Sequence, residues 1–524
     1  MKPIRLLALA LLVFATPAAA DPPSDLATRV EALRKQVGAT GIAIAIVEDG
    51  KTTLSRGWGE RKLGEAAKVD SATIFQTGST GKAMTAAALA ILVDEGKIAW
   101  DDPVIQHMPW FRMYDPWVTR EITVRDLLVH RSGLGLGQGD LMFVPRTNLT
   151  RKQTVERVAY LKPATSFRSA YAYDNILYAV AGQLIEEVTG QTWEKFMRDR
   201  VLRAGGMTDA TSDSQDRFRI ANRSYPHARL SGPLRGLGPQ QLLDERDELG
   251  RNGAPAGGIA MSADDMAAWL KIQLAHGALP GGKRLFSEQQ AAAMWNPVVT
   301  MPITQLPESL APAMPEYQAY ALGWQVQDYR GHRIVAHSGG VFGSITRVVI
   351  VPDRNIAFAI MMNSEDSGLL LGLYYMLLDH YLGVADYDWP TKWQDWYEAR
   401  LEGGRAFVEQ AKASPAKVGP SLDPARYAGR YRDPWYGDIV IEPGPAGLTI
   451  DFTSTPRMKG RLKHWQYDSF VSEFDDKAIE PAYVTFALDA DGKVTGVTMK
   501  AVSPIADFSW DYHDLDLKPV GDEK

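Results

Sequence analysis

The segment Phe75–Leu92 reads FQTGSTGKAMTAAALAIL and combines a polar turn with a long apolar run. A short polar turn that contains Ser79 and Lys82 is followed by a run of almost exclusively apolar residues. If a helix begins at Ser79, Lys82 lies one turn further along on the same face, beside the hydroxyl. The apolar run predicts that this helix is buried on all sides and held rigidly in a core.

Ser79 and Lys82 together have the chemistry of an activated nucleophile. A serine hydroxyl reacts poorly at neutral pH unless a base lies beside it. Burial disfavours the charged form of a lysine, so Lys82 can serve as that base or as a proton relay. The pattern alone is weak, because Ser414 and Lys417 have the same spacing in a segment where Pro415 prevents a helix.

A second segment, SFRSAYAYDNILYAVAG, supplies groups that suit such a nucleophile. It places Tyr173 and Asn175 just before a predicted helix. On an extended turn, side chains two residues apart point in roughly the same direction. A phenol can transfer protons, and an amide can hold a lysine or a substrate amide. We therefore expect both side chains to lie beside Ser79 and Lys82.

A third segment, VAHSGGVFGSITRVVI, predicts a strand that contains His337, Ser338 and Gly339. A glycine at this position allows a substrate backbone to approach the strand edge. The backbone amide of Gly340 can then pair with the amide of Ser79 as an oxyanion hole. The helix N-terminus adds partial positive charge at the same place.

The order of strand and helix patterns indicates how the sheet is built. Residues 41–60 predict a β-hairpin around an Asp-Gly turn, and three β-rich runs follow between about 320 and 363. The region from about 79 to 300 has mostly helical patterns. We predict an α+β domain at 21–385, in which N- and C-terminal strands share an antiparallel sheet around an inserted helical part. A cleft between the two parts is a favoured ligand site.

The chain changes character after about residue 385. Residues 386–422 predict a linker helix and a loop, and residues 423–520 have the strands and turns of a small antiparallel β domain, a barrel or a sandwich. Tryptophan occurs at intervals along this domain, at Trp435, Trp465 and Trp510.

Composition narrows the classes of function. The net charge of −6 argues against a nucleic-acid partner, which usually requires a basic face. The absence of cysteine excludes thiolate catalysis and disulfides. The nine histidines include no His-Glu-x-x-His pattern, and we predict neither a metal site nor a cofactor.

Residues 1–20 have the pattern of a cleavable signal peptide. Lys2 and Arg5 precede the apolar run LLALALLVFA, and Ala18–Ala20 supply the small residues at a cleavage site before Asp21. An uncleaved anchor is the alternative, but the apolar run is short for a membrane span. We expect a periplasmic or secreted protein with no stable membrane anchor after cleavage.

The three motifs, in this order, resemble those of the penicillin-binding-protein-type serine hydrolases, which include class C β-lactamases, D-alanyl-D-alanine carboxypeptidases, D-aminopeptidases and related esterases. The resemblance extends from about Leu26 to about Leu382. It includes the further landmarks HRSGL at 130–134, GGM at 205–207, APAGGIAMSADDMAAWL at 254–270 and GGVFG at 339–343. It implies a β-lactamase/transpeptidase-like fold, and the C-terminal β part resembles the lipocalin-like appendages of family peptidases.

The resemblance also implies roles for the motif residues. Ser79 is the acylated nucleophile, and the amides of Ser79 and Gly340 form the oxyanion hole. Tyr173 shares a proton with Lys82 and acts as general base and later as general acid. Asn175 orients Lys82 and the substrate amide.

The substrate strand departs from the β-lactamase pattern. Ser338 and Gly339 line this strand, but His337 stands where lactamases usually carry a lysine, and a histidine is mostly neutral at pH 7. This favours hydrolysis of a small peptide or amide, including D-residue-containing or unusual linear peptides. Esterase and β-lactamase activities stay as alternatives, and a non-catalytic penicillin-binding sensor is an alternative of a different class.

Several other features have both a structural and a functional interpretation. We expect His130 to be a structural residue at a helix end, and the acidic segment 242–251 to be a solvated loop face. Residues 208–252 form a long connection where a lid over the cleft can form. Trp324 and Phe342 either line an apolar subsite or, more simply, pack in the core or at a strand end. The C-terminal β domain either walls the cleft or only stabilises the protein.

Overall fold

A computed structural model describes residues 21–246, 248–413, 415–444 and 447–521. The predicted signal peptide at 1–20 and Ser414 of the second Ser-x-x-Lys pattern lie outside the described residues.

The α-helices occupy mainly the middle of the chain and the junction before its last part. They are α1 (Leu26–Val37), α2 (Lys82–Asp94), α3 (Val104–His107), α4 (Pro116–Glu121), α5 (Arg151–Arg157), α6 (Ile176–Thr189), α7 (Trp193–Phe196), α8 (Ser214–Arg217), α9 (Ala254–Gly257), α10 (Ala263–Leu274), α11 (Glu288–Trp295), α12 (Ser367–Leu382) and α13 (Trp389–Ala413).

The strands fall into an N-terminal pair, a central group and a C-terminal series. They are β1 (Gly41–Glu48), β2 (Lys51–Gly59), β3 (Phe75–Gln76), β4 (His227–Arg229), β5 (Gln240–Leu242), β6 (Ala260–Met261), β7 (Val299–Thr300), β8 (Gln318–Tyr320), β9 (Gln325–Tyr329), β10 (His332–Val341), β11 (Ser344–Val351), β12 (Ile356–Met362), β13 (Gly429–Asp433), β14 (Gly437–Gly444), β15 (Gly447–Phe452), β16 (Lys459–Gln466), β17 (Ser469–Phe474), β18 (Ala482–Leu488), β19 (Val494–Ala501) and β20 (Lys518–Pro519).

The main sheet joins distant parts of the chain in the order β2-β1-β12-β11-β10-β9-β8-β7. The N-terminal hairpin pairs with β12 in antiparallel register, with Ile44 opposite Ile360. The helical region is inserted between β2 and β7. The predicted α+β fold, with N- and C-terminal strands in one sheet, is therefore confirmed.

The two faces of the sheet bury different helices. On one face, α1 and α12 pack on Ile44 and Phe358. On the other face, β1 contributes Ala43 and Ala45 to the core that contains α2, α6 and α10. Residues 82–92 of α2 are all buried, because the helix lies between the sheet and the inserted helices. This explains why the apolar run after Ser79 has no polar face.

The last strands form a nearly closed antiparallel barrel in the order β19-β18-β17-β16-β15-β14-β13-β20. Two backbone hydrogen bonds between Val497 of β19 and Leu517, just before β20, bring the ends of this order together. The long helix α13 packs on α12 and leads to the barrel. The predicted barrel-like C-terminal domain is thus confirmed. Within the described part of the chain, no helix combines the length and the apolar character that a membrane crossing requires.

Candidate active site

Ser79 lies in a 3-10 turn, Gly78–Gly81, which continues directly into α2 at Lys82. Strand β10 passes very close to this turn. A side chain on Gly339 would place its Cβ 2.0 Å from the carbonyl oxygen of Thr77, so only glycine permits the contact. Gly78 itself has a φ of +53°, a conformation that glycine adopts without steric cost. The two glycines bring the nucleophile turn against the edge of the sheet.

Lys82 is fully buried, and its amine meets three oxygen atoms. Nζ lies 2.6 Å from Asn175 Oδ1, 2.7 Å from the carbonyl oxygen of Ala256 and 2.9 Å from Ser79 Oγ. A neutral amine has two N–H groups and one lone pair. It can donate to Asn175 and Ala256, which only accept at these atoms, while it accepts the hydroxyl proton of Ser79.

The surroundings of Lys82 favour this neutral form. Burial lowers the pKa of Lys82 to about 7, and the negative charges of Asp140 and Asp174 oppose the shift. Near neutral pH, a substantial fraction of the protein therefore carries a free amine beside the Ser79 hydroxyl.

Tyr173 completes the group around the nucleophile. The Lys82 amine lies 4.9 Å from the centre of its ring. Burial raises the pKa of Tyr173 well above its ordinary value, and a hydrogen bond with Ser79 opposes the rise. The phenol therefore keeps its proton in the resting protein and is a proton donor there.

An aromatic cluster fixes the Tyr173 ring. His130 packs against it with 4.2 Å between ring centres, and Phe508 of the C-terminal domain makes an edge contact at 5.6 Å. His130 follows the short helix Asp126–Leu128 with a φ of +58°, and its Nδ1 accepts the backbone N–H of Asp174 at 3.1 Å. These contacts fit the structural role expected for His130.

Asn175 is held in place by a carboxylate that sequence reasoning missed. Its Nδ2 donates to Asp140 Oδ2 at 2.8 Å, and the same oxygen accepts a hydrogen bond from Ser509 Oγ at 2.7 Å. Burial raises the pKa of Asp140 to about 7, and the hydrogen bonds from Asn175 and Ser509 oppose this rise. A chain of hydrogen bonds therefore links Ser509 through Asp140 and Asn175 to Lys82. The sequence contained one signal for this role. Asp140 lies in a glycine-rich, apolar stretch, and a carboxylate that is buried in such surroundings rarely lacks a partner.

We expect Ser509→Ala to lower the plateau of kcat/KM about tenfold, the usual size for a hydrogen bond to a charged group, because Asp140 then holds Asn175 less firmly beside Lys82. Without this hydroxyl the pKa of Asp140 rises further, and its negative charge, which favours the ammonium form of Lys82, is weakened. The rise of activity with pH should then shift to lower pH. Steady-state kinetics between pH 5 and pH 9 measures both effects.

Two variants serve as controls for this prediction. Ser509→Thr keeps the hydroxyl and should restore the wild-type pH profile. Ser469→Ala removes a hydroxyl that bonds only Thr485 on the barrel surface and should change nothing. An unchanged rate and pH profile in Ser509→Ala would show that the Asp140 contact has no part in the reaction.

The His337 imidazole is neutral and offers no positive charge to a substrate. Its Nε2 accepts from the Tyr320 hydroxyl at 2.7 Å, and its Nδ1 donates to the carbonyl oxygen of Ser338 at 2.5 Å. Burial and the Lys82 charge lower the pKa of His337 well below its ordinary value. Both ring nitrogens are thus engaged in a neutral imidazole.

The other residues of this strand meet the nucleophile through their backbone. A Cβ on Gly78 would lie 2.7 Å from the amide nitrogen of Gly340, so this amide is next to the residue that precedes Ser79. Side chains alternate along a strand, so Gly339 is on the same face of the sheet as His337 and Ser338 is on the other face. Ser338 is exposed and pairs with Arg347 of β11. The oxyanion-hole role of the Ser79 and Gly340 amides stays a prediction.

A cavity of about 540 Å³ opens at Ser79, Asn175 and Gly340. The C-terminal domain forms one wall of it with residues 503 and 505–510. The C-terminal domain therefore contacts the candidate site rather than lying apart from it. Phe342 lines the cavity and packs on Trp510 at 5.8 Å between ring centres, while Trp324 is buried in the core.

The connection 208–252 also lines this cavity, through Arg235, Gly236 and Leu249. A closing movement of this segment stays a prediction. The expectation of a solvated loop at 242–251 is wrong for Glu248, which is only 3% exposed. Its carboxylate pairs with the equally buried Arg217 at 3.2 Å, and such pairing is what permits burial of a charge.

One group of possible metal ligands occurs among the described residues. Single ligand atoms of Asp511, His513 and Asp514 lie within 4.8 Å of one another. One oxygen of Asp511 already accepts the backbone N–H of Gly139 at 2.5 Å. This contact ties the C-terminal domain to the loop that carries Asp140.

Comparison with protein families gives a match to the model described as "Beta-lactamase" over residues 26–373, which is more than half of the chain. The chain belongs to the beta-lactamase family. The predicted resemblance to this group of serine hydrolases is thereby confirmed, and the protein is an enzyme of that class. Residues 413–519 match a second model, described as a domain of unknown function, DUF3471.

Curated relatives of this beta-lactamase family protein include named hydrolases. An unguisins hydrolase of Aspergillus campestris is 31% identical over 420 residues, which cover 76% of this chain and 74% of the relative. Penicillin-binding protein 4 of Amycolatopsis lactamdurans is 27% identical over 365 residues, covering 68% of this chain and 89% of the relative.

Solved structures support the fold of this family member. The octameric penicillin-binding protein homologue from Pyrococcus abyssi aligns with a TM-score of 0.56 and 19% identity, covering 91% of this chain and 98% of that one. The D-amino acid amidase from Ochrobactrum anthropi SV3 aligns with a TM-score of 0.54 and 19% identity, covering 69% and 98%. At these identities the likeness concerns the fold.

Proposed function

We propose that the protein is an exported serine hydrolase that cleaves peptide or amide bonds through an acyl-enzyme on Ser79. The observation that carries this proposal is the buried Lys82 amine, 2.9 Å from Ser79 Oγ, in surroundings that favour its neutral form. A free amine at this distance can take the hydroxyl proton as Ser79 attacks the substrate carbonyl.

In the first half of the reaction, Ser79 Oγ bonds to the carbonyl carbon and its proton passes to Lys82. The Ser79 and Gly340 amides are the candidate donors to the oxyanion that forms on the former carbonyl oxygen. When the C–N bond breaks, the leaving nitrogen takes a proton from Tyr173. The Lys82 ammonium group then returns a proton to Tyr173. The resting structure thus favours Lys82 as the first proton acceptor, whereas the resemblance implied Tyr173 as the base.

In the second half, water attacks the ester carbon of the acyl-enzyme. Its proton passes to the same Lys82–Tyr173 pair, and Ser79 regains a proton as the acid product leaves. Lys82 therefore returns to its neutral state at the end of each turnover.

The state of His337 favours peptide or amide substrates over β-lactams. A neutral, fully hydrogen-bonded imidazole offers no fixed charge for the carboxylate of a β-lactam. Relatives and structural neighbours include an unguisins hydrolase and a D-amino acid amidase, and these names support the same choice of bond. Esterase activity is the alternative that the same acyl-enzyme chemistry permits.

A substrate panel on the protein beginning at Asp21 tests the proposal. It contains D- and L-amino-acid amides, D-Ala-D-Ala peptides, nitrophenyl esters and nitrocefin, with intact-mass detection of an acyl adduct. We expect repeated turnover of amides or peptides with higher kcat/KM than nitrocefin. A single labelling event without turnover would indicate a sensor, and faster nitrocefin hydrolysis would indicate a β-lactamase.

Tyr173→Phe should lower kcat/KM for peptides about 10³-fold, within the usual range for a general acid–base group. Nitrophenolate leaves without needing a proton, so the loss should be smaller with nitrophenyl esters. Tyr160→Phe, at an exposed tyrosine, is the matched control. Equal losses on both substrate types would argue against proton donation by Tyr173.

Export is the part of the proposal that rests on residues 1–20. The charged start, the apolar run and Ala18–Ala20 support cleavage by a signal peptidase. Expression of all 524 residues in a Gram-negative bacterium, followed by N-terminal sequencing of the periplasmic fraction, should give Asp21 as the first residue. Recovery of the uncut chain from the cytoplasm would contradict export.

A further inference from the structure

The cavity at Ser79 has a second chemical feature, a group of charged side chains in its wall. There the walls carry three carboxylates, Glu365, Glu480 and Asp507, and two guanidinium groups, those of Arg235 and Arg400. We call these three carboxylates the acidic wall. Glu480 and Asp507 belong to the C-terminal domain, so the two domains build the acidic wall together.

Arg235 is already neutralised by Glu365 within this wall. Its Nε and Nη2 each donate to one oxygen of Glu365 at 2.6 Å. Nη1 donates to the carbonyl oxygen of Ala478 at 2.9 Å, and Glu365 also accepts the Gly343 amide at 2.7 Å. Because their charges neutralise each other, Arg235 and Glu365 together offer little net charge to a ligand.

Glu480 is different, because it is 6% exposed and only its backbone carbonyl has a hydrogen-bond partner among the described residues, the Tyr512 hydroxyl. No hydrogen bond or ion pair engages its carboxylate there. Glu480 lines this cavity together with Arg235, Glu365 and Asp507, whose charges act on it, and it also borders a second cavity at Lys477 and Tyr483. Burial raises the pKa of Glu480 to about 7, as expected for a carboxylate that lacks a nearby partner.

Asp507 adds a second available carboxylate. One of its oxygens accepts the backbone N–H of Ser509 at 2.9 Å, and the residue lines the cavity. Arg400 contacts the Trp396 ring at 5.8 Å instead of these carboxylates. Among the described residues, Glu480 and Asp507 therefore have no lysine or arginine in direct ion-pair contact.

The distance from the reaction centre suits a short peptide. Gly340, at the candidate oxyanion hole, is three residues before Gly343, whose amide donates to Glu365. Three residues of extended chain span about 10 Å at most, the length of about three extended substrate residues. Glu365, at one end of the acidic wall, thus lies within the reach of a short substrate whose carbonyl is at Ser79.

We propose that Glu480 and Asp507 bind the ammonium group of the substrate, so that the enzyme selects short peptides or amides with a free amine. This inference rests on the proposed function. An ammonium group has three N–H donors and a compact charge, which fits two carboxylates that have no lysine or arginine in ion-pair contact. The amine is either the α-amine of a short peptide or the side-chain amine of a lysine-like residue.

Matched substrates test this inference. Each peptide is prepared with a free and with an acetylated N-terminus, and in forms that carry lysine or norleucine. We expect kcat/KM for the form with the amine to exceed that of the form without it by about tenfold or more, the size expected for a charged hydrogen bond. The acetylated series and the norleucine series show which of the two amines is bound.

The variants Glu480→Gln and Asp507→Asn identify the binding groups. The ratio between amine-bearing and acetylated substrates should fall from about tenfold toward one. Damage to the fold would lower both rates together, so a fall in the ratio itself reports the loss of amine binding. Glu442→Gln, at an exposed barrel residue, is the matched control and should keep the ratio.

Two outcomes overturn the inference. One is an unchanged ratio in both variants or no preference for a free amine in the wild type. The other is a preference lost only when the substrate carboxylate is amidated, which would point to Arg400. Either result leaves the proposed function standing if Ser79 is still acylated, whereas absence of an acyl-enzyme would refute the proposed function itself.

Discussion

Ser79→Ala is expected to lower kcat/KM by roughly four to six orders of magnitude while the protein stays folded, as happens when the nucleophile of a group acting as a unit is removed. The side chain is small and only half-buried, so its loss leaves a minimal cavity. Lys82 keeps its contacts with Asn175 and Ala256, and no buried carboxylate loses a partner. Steady-state kinetics and thermal unfolding of both proteins measure the change.

Ser414→Ala is the matched control for this prediction. Ser414 and Lys417 repeat the spacing of Ser79 and Lys82, and this variant should retain full activity. A fully active Ser79→Ala protein would remove the basis of the mechanism. Loss of activity in Ser414→Ala would mean that the wrong serine had been chosen.

Lys82→Ala is expected to lower kcat/KM by about 10³-fold, in the middle of the range for general acid–base catalysis. The physical reason is that no other amine lies within hydrogen-bond reach of Ser79 among the described residues. Lys82→Met, which fills more of the buried space without a charge, should give a similar loss. Comparable losses in the two variants would show that the missing base causes the loss, and not the empty space that alanine leaves.

The pH dependence gives this prediction a second readout. The neutral amine is the active form, and burial lowers the pKa of Lys82 to about 7. Activity of the wild type should therefore rise with pH and reach half of its plateau near pH 7. Residual activity of Lys82→Ala should lack this rise. A wild-type profile that falls through pH 7, or an identical rise in the variant, would exclude Lys82 as the base.

The sequence predicted those features that depend on local spacing. The serine and lysine fall one turn apart, and the hairpin, the inserted helices and the barrel follow from periodicity and turn residues. Tyr173 and Asn175 come just before α6, where the sequence pattern predicted a helix, and Asn175 directly precedes its first residue.

The sequence could not predict features that depend on contacts between distant segments. The hydrogen bond from Ser509 to Asp140 joins residues 369 positions apart. The apolar surroundings of Asp140 indicate that it has some partner, but no pattern around Ser509 identifies that partner. The neutral state of His337 likewise depends on Tyr320, and the burial of Glu248 depends on Arg217.

The sequence also did not predict where the C-terminal domain packs on the rest of the protein. Strand periodicity predicted that it is a β domain, but not which loop meets the cleft. The segment 505–510 and Glu480 reach the cavity through the way the barrel docks, which no local pattern encodes. The acidic wall forms only where the docked barrel meets the catalytic domain, so the sequence does not predict it.

The most direct test of the central claim is the mass of the enzyme during turnover. A rapidly quenched reaction with a peptide or amide substrate, followed by proteolysis and mass spectrometry, should show the acyl part of the substrate attached to Ser79. The same experiment with Ser79→Ala should show no adduct. An adduct on another residue, or turnover without any adduct at the shortest quench times, would contradict the proposed acyl-enzyme.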